Sequence, residues 1–304
     1  MPKKGTAPIA APTTTTVPKT QKTTTTTPTT ILNAAPPGGN CTNPSYSSSS
    51  AEATDNTDPN DGAQYWWVNN DAWSGGHGPQ TLNVCNQASW NVVSNQTNNG
   101  GQVETYPDTE YDVGGRSLSE FGTNSLKTIS GFNSITSTFD EEFPTGSGEA
   151  WDAGYDLWVG SLTTANGASE GTPYDTEVMI WNQWQGSQDF WANCANGIGS
   201  CPSGGNAQAV TLDGVPYHYF DNSGELMFFR DTQVSSGSVN ILAAFNWLVA
   251  HPSADPHSTD TANSHHDEPV VSTNVPTELE YGVEIVGTPG SVTFPLTGLT
   301  FDAS

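Results

Sequence analysis

Three short segments of this 304-residue chain place a carboxylate inside a pattern that otherwise reads as a β-strand. In Glu177-Val178-Met179-Ile180-Trp181-Asn182 alternate side chains face opposite ways, so Glu177, Met179 and Trp181 share one side and Val178 and Ile180 the other. Tyr281–Val286 repeats the arrangement: Glu284 stands opposite the apolar set Tyr281, Val283 and Ile285, and Gly282 beside it is expected to leave open space. In Tyr155–Val159, Asp156 and Trp158 take one face and Tyr155, Leu157 and Val159 the other. Each could be a plain solvent-facing acid. Together they are what two-carboxylate cleavage of a glycosidic bond requires: one acid kept protonated to assist the leaving oxygen, and one ionised to attack the anomeric carbon.

Such groups need rigid strands behind them. From Cys41 onward the chain consists of short β-type runs punctuated by Gly, Asn, Asp and Pro, among them 64–69, 154–160, 176–184, 215–220, 226–230, 281–286 and 291–294. One segment reads as helix: in 238–251, Leu242, Phe245, Leu248 and Val249 share a face, with Ser238 as its N-cap. Many strands and one helix predict an all-β fold, a two-sheet β-sandwich of jelly-roll type. No internal repeat is visible.

Composition sets the chemical class. All 32 acidic residues follow position 40, where only Arg116, Lys127 and Arg230 oppose them, a formal charge of −29. Such a surface repels phosphate backbones and anionic lipid, which excludes nucleic acid and is compatible with a neutral polymer. Ten Trp supply more rings than a core needs, and flat aromatic faces stack on sugars. No stretch is apolar enough to span a membrane. Residues 1–40, with 13 Thr and 7 Pro, read as a disordered linker, leaving 41–304 as the folded domain.

Cys41, Cys85, Cys194 and Cys201 allow three pairings, of which Cys41–Cys85 with Cys194–Cys201 is favoured because 194–201 is a Gly-rich segment able to turn back on itself. Disulfides and the linker's style point to a secreted protein, although the first residues show no apolar signal core. Asn40 and Asn95 sit in N-glycosylation patterns. His251, His257, His265, His266, Asp260, Asp267 and Glu268 crowd one segment without a metal-ligand spacing, so it reads as a surface insertion; no metal or cofactor is expected.

The motifs carry a resemblance. Glu177-Val-Met-Ile-Trp181 resembles the E-[IV]-M-I-W nucleophile strand of glycoside hydrolase family 12, and Tyr155-Asp156-Leu157-Trp158 is similar to that family's A-Y-D-[LI]-[FW] strand, with Gly154 in place of Ala. Trp66-Trp67-Val68-Asn69-Asn70 with Trp73 resembles its early V-x-N-N-x-W segment. Gly282-Val-Glu284-Ile-Val-Gly287 departs from its G-T-E-P-F-x-G, and the segment between the helix and Glu284 is enlarged. The resemblance spans about residues 60–300 and implies a β-jelly roll with a long concave cleft, acting as a retaining endo-β-1,4-glucanase. Glu177 would be the nucleophile, Glu284 the acid/base, and Asp156 a hydrogen-bond partner of the nucleophile. Met179, Trp181, Trp158, Asn69 and Trp73 would bind substrate. The implied partner is a β-glucan (cellulose, mixed-linkage glucan or xyloglucan), and the implied state a monomer. A non-catalytic carbohydrate-binding jelly roll is the alternative, which has no need of two carboxylates on one face.

Overall fold

The computed structural model of the chain describes residues 39–51, 53–56, 66–72, 75–113, 127–160, 176–186, 207–222, 225–252 and 269–304. They fall within one compact unit, Leu32–Ser304. The Thr/Pro segment before Gly39, the pair Cys194 and Cys201, Trp73, and the His-rich stretch beyond His251 up to Glu268 lie outside the described residues.

Two sheets face each other. With strands numbered in chain order, one sheet runs β1 (Tyr46–Ser48), β4 (Gln80–Asn86), β5 (Ser89–Ser94), β15 (Val292–Ala303), β7 (Ile135–Glu141) and β13 (Ser236–Asn240). The other runs β10 (Gln208–Leu212), β11 (Val215–Asn222), β12 (Glu225–Arg230), β9 (Thr176–Gln185), β8 (Ala150–Gly160), β14 (Val275–Gly287), β6 (Asp108–Asp112), β3 (Trp66–Asn69) and β2 (Thr54–Asn56). Neighbours are antiparallel except β12 and β9, which are parallel. This is the predicted jelly-roll sandwich.

Period-two patterning explains which face is inside. Trp151, Ala153, Tyr155, Leu157 and Val159 of β8, Val178 and Ile180 of β9, and Leu279, Tyr281, Val283 and Ile285 of β14 all enter one core with Trp90, Phe139, Phe294 and Leu296 of the opposite sheet. Tyr281 stands between sheets, 4.7 Å from Tyr155 and 5.2 Å from Phe139 by ring centroid. The β10–β11 hairpin turns on Asp213 and Gly214, at φ 49° and 81°, the doubly positive pair a two-residue hairpin demands.

The helix, α1, is Ile241–Ala250 and begins later than its apolar face suggested. Ser236–Asn240 is held as strand by pairing with β7, so Ser238 is not the cap. Asn240 takes that role, its side chain accepting from the Ala243 N–H at 3.0 Å. Leu242, Phe245 and Leu248 are buried as expected, while Val249 is only partly covered. Cys41 and Cys85 form the expected disulfide, tying the start of the domain to β4.

Candidate functional site

The three carboxylates project from adjacent strands, β9, β8 and β14, on the face turned away from the core. Across β9 and β8, Glu177 pairs with Trp158, Met179 with Asp156, and Trp181 with Gly154. Across β8 and β14, Trp158 pairs with Glu278, Asp156 with Glu280, Gly154 with Gly282, and Asp152 with Glu284. Glu177 and Asp156 are each only 8% exposed, whereas Glu284 is half-buried. Between β8 and β14 two carboxylate pairs face each other, Asp156 with Glu280 and Asp152 with Glu284.

Glu284 and Asp152 face each other across β14 and β8. Burial, then the facing Asp152 charge and its hydrogen bond, then Glu225 push the Glu284 carboxyl well above the ordinary range. Two carboxyls that share a hydrogen bond cannot both ionise cheaply, so Glu284 holds a proton at pH values where free glutamate has lost it. The influence of Glu225 is geometrically telling. Along β8 the levels of Glu177 and Glu284 lie six residues apart, roughly 20 Å on a flat extended strand. Yet Glu225, the cross-strand neighbour of Glu177, still acts on Glu284. The Glu225 charge thus reaches along this diagonal toward Glu284. The register shift between Ala153 and Gly154 lies midway along it.

The expected binding residues are placed as follows. Met179 and Trp181 lie on the same face as Glu177 and pack with Phe220, Met227 and Phe229 into a second apolar cluster. Trp181 is 1% exposed, edge-on to Phe229 at 5.2 Å, so it braces this face from within. Trp158 is buried beside Glu177. Asn69 is half-buried and donates from Nδ2 to Glu110 Oε2 at 3.1 Å and to Asp108 Oδ2 at 3.4 Å. His251 caps α1 at its C-terminal end and stacks on Trp247 at 4.4 Å, with its Nδ1 2.7 Å from the Trp247 carbonyl oxygen.

One expectation is corrected. The space beside Gly282 is not open: a Cβ there would lie 2.5 Å from the Pro107 carbonyl oxygen and 2.8 Å from Asp108 Cβ. Glycine is needed because the incoming chain before β6 presses against β14 at this point.

Sequence reading missed several acids on this face: Asp108, Glu110, Asp112, Asp152 and Glu225. The signal was present. Asp108-Thr-Glu110-Tyr-Asp112 and Glu278-Leu-Glu280-Tyr281-Gly-Val-Glu284 alternate carboxylates with core residues, but strings of charge read as loop until the partner strand is known. Glu110, Asp112 and Glu278 each bring a carboxylate oxygen within 4.8 Å of the others, a group with the donor chemistry for a hard divalent cation. Trp67 Nε1 also donates to Asp112 Oδ2 at 3.1 Å.

No family model matches the chain, and no curated protein matches it in sequence. Solved structures do. The xyloglucanase domain of NopAA, a type three effector from Sinorhizobium fredii solved with cellobiose, is 23% identical at a TM-score of 0.58, over 86% of this chain and all (100%) of that one. Endoglucanase 3 of Trichoderma harzianum, from family GH12, is 20% identical at 0.58, covering 85% and 97%. A family 12 xyloglucanase from Bacillus licheniformis is 17% identical at 0.58, covering 85% and 100%. Sheet order, core and helix together give this chain the β-jelly-roll fold of the family 12 glycoside hydrolases.

Proposed function

We propose that the chain is a secreted, retaining endo-β-1,4-glucanase that hydrolyses β-glucan backbones by double displacement. The observation that carries this reading is that a proton-holding carboxyl, Glu284, and a second carboxylate, Glu177, project from the same outer face of one sheet. In the first step the Glu284 carboxyl gives its proton to the glycosidic oxygen while a Glu177 oxygen attacks the anomeric carbon; the aglycone leaves as an alcohol and a glycosyl ester remains on Glu177. In the second, Glu284, now ionised, takes a proton from water as that water displaces Glu177, which restores both groups and gives the sugar its original configuration. Asp156, one register step from Glu177, positions the nucleophile. Met179 and Trp181 set the shape of the cleft, and Trp158, Asn69 and Trp73 serve as sugar-binding groups.

The neighbours named as xyloglucanases and endoglucanases support a glucan substrate, and the disulfide supports an extracellular setting. The Thr/Pro-rich 1–40 then serves as a tether. The test is reducing-end release from carboxymethylcellulose, xyloglucan and mixed-linkage β-glucan, with the first-formed anomer followed by proton NMR. Release with β-anomer formed first is expected. Binding without release would instead make the protein a carbohydrate-binding module, and α-anomer first would replace retention by inversion.

A further inference from the structure

We propose that the Tyr106 hydroxyl is a substrate-binding group, hydrogen-bonding a hydroxyl of the sugar that lies over Asp156 and Glu284; this rests on the glucanase reading above. The β6–β14 ladder pairs Gly282 with Asp108, and beyond it Thr105 bridges to Ile285. Between these two pairs Tyr106 stands across from Glu284, on the side opposite Asp152. Its backbone is fixed on both flanks: Val283 N–H donates to the Pro107 carbonyl at 3.1 Å, Ile285 N–H to that of Thr105 at 2.8 Å, and Tyr106 N–H to that of Asp71 at 2.9 Å. The adjoining Thr105 hydroxyl donates to Gln80 Oε1 at 3.0 Å, inside a buried network with Ser94 and Gln96.

Tyr106 itself is 7% exposed, and its buried hydroxyl has no hydrogen-bond partner among the described residues. Burial first, then Asp156, Glu280, Asp108 and Glu284, hold the phenol protonated well beyond its usual range. The O–H is therefore a permanent neutral donor, ringed by four carboxyls of which none is within bonding distance. A buried donor left unpaired is costly to a fold, and a ligand hydroxyl is one partner that can complete its shell. An anion would be repelled by the surrounding carboxylates. A sugar hydroxyl fits, because it accepts from Tyr106 and donates to a carboxylate in the same contact.

The experiment is Tyr106→Phe in the full chain, which deletes only the oxygen. Since that oxygen bonds nothing among the described residues, Tm should be unchanged or slightly higher. Cellotetraose affinity, measured calorimetrically in the Glu177→Gln background so that the ligand is not consumed, should fall about 10- to 100-fold. With Glu177 intact, kcat/KM on carboxymethylcellulose should fall comparably, with an unshifted pH profile. Equal affinity and equal kcat/KM in an active protein would overturn the inference alone, and a marked loss of Tm would overturn it by showing that the hydroxyl serves the fold. A wild type that neither binds cellotetraose nor releases reducing ends would remove the proposed function, and this inference with it.

Discussion

At the scale of single residues, the decisive pair is Glu284 with Asp152. If Glu284 is the acid, its raised ionisation sets the alkaline limb of the pH–kcat/KM profile, because only the protonated form assists the leaving oxygen. Asp152→Asn removes the facing charge and should move that limb acidward, while the burial contribution remains. Glu177→Gln should lower turnover by several orders of magnitude with folding intact. Glu284→Gln should be as severe on native glucan but mild on aryl glycosides with good leaving groups, which need little protonation. The comparison is read from kcat/KM on both substrate types. If Glu284→Gln still cleaved native glucan at near-normal rate, Glu280, the neighbour of Asp156, would be the next acid to examine.

At the scale of elements, the site depends on how closely β6 and β14 meet. Gly282→Ala would drive a methyl group into backbone atoms of Pro107 and Asp108, which cannot rotate away as a side-chain tip could. The strands must separate, at a cost of about 1–3 kcal/mol, and both Glu284 and Tyr106 should shift with them. Gly75→Ala meets nothing within 4 Å and serves as the control, expected within about 0.5 kcal/mol of wild type. Urea midpoints at constant m-value separate the two outcomes. Equal stabilities would mean that the strands part easily there.

For the whole molecule, acidity is the governing term. Three basic side chains oppose 32 acids beyond position 40, and compaction forces the acids together. Glu141 is the sharpest internal case. Its carboxyl lies in the sandwich core, where burial raises its pKa from 4.5 to about 8, the hydrogen bond from Tyr281 lowers it, and Asp140 raises it. The Tyr281 hydroxyl donates to Glu141 Oε2 at 2.6 Å. A carboxyl whose folded pKa lies above its unfolded one binds more protons in the native state. The stability that Glu141 contributes is therefore fully present below about pH 4.5, falls as pH rises, and is lost above about pH 8. Glu284 acts with the same sign. Tm should accordingly be higher at pH 5 than at pH 8, by several degrees at low salt. Glu141→Gln should narrow the gap by raising Tm at pH 8, and ~1 M salt should narrow the part due to surface repulsion. A Tm that climbed from pH 5 to pH 8 would show that self-repulsion and the buried carboxyls do not control stability.

Much of this was legible without coordinates. Alternation along 155–159, 176–181 and 281–286 is a local property, set by the two-residue repeat of a strand, so it assigned Glu177, Asp156 and Glu284 to the outer face and their neighbours to the core before any pairing was known. Many short strand runs broken by turn residues, with a single helix, likewise implied a sandwich. What local pattern could not supply was register. That Asp152 faces Glu284, that Glu225 flanks Glu177, and that Tyr106 stands across from Glu284 follow from strands brought together over long stretches of chain, where a slip of one residue would reverse every assignment. The same holds for α1, whose first turn was lost to β13 because pairing with β7 outweighed helical propensity. It holds too for Gly282, which looked like an opening and is a point of closest approach. Sequence determined which side chains face away from the core; only the pairing and register of the strands decided which of them meet, because electrostatic and hydrogen-bond energies depend on separations that no strand sets by itself.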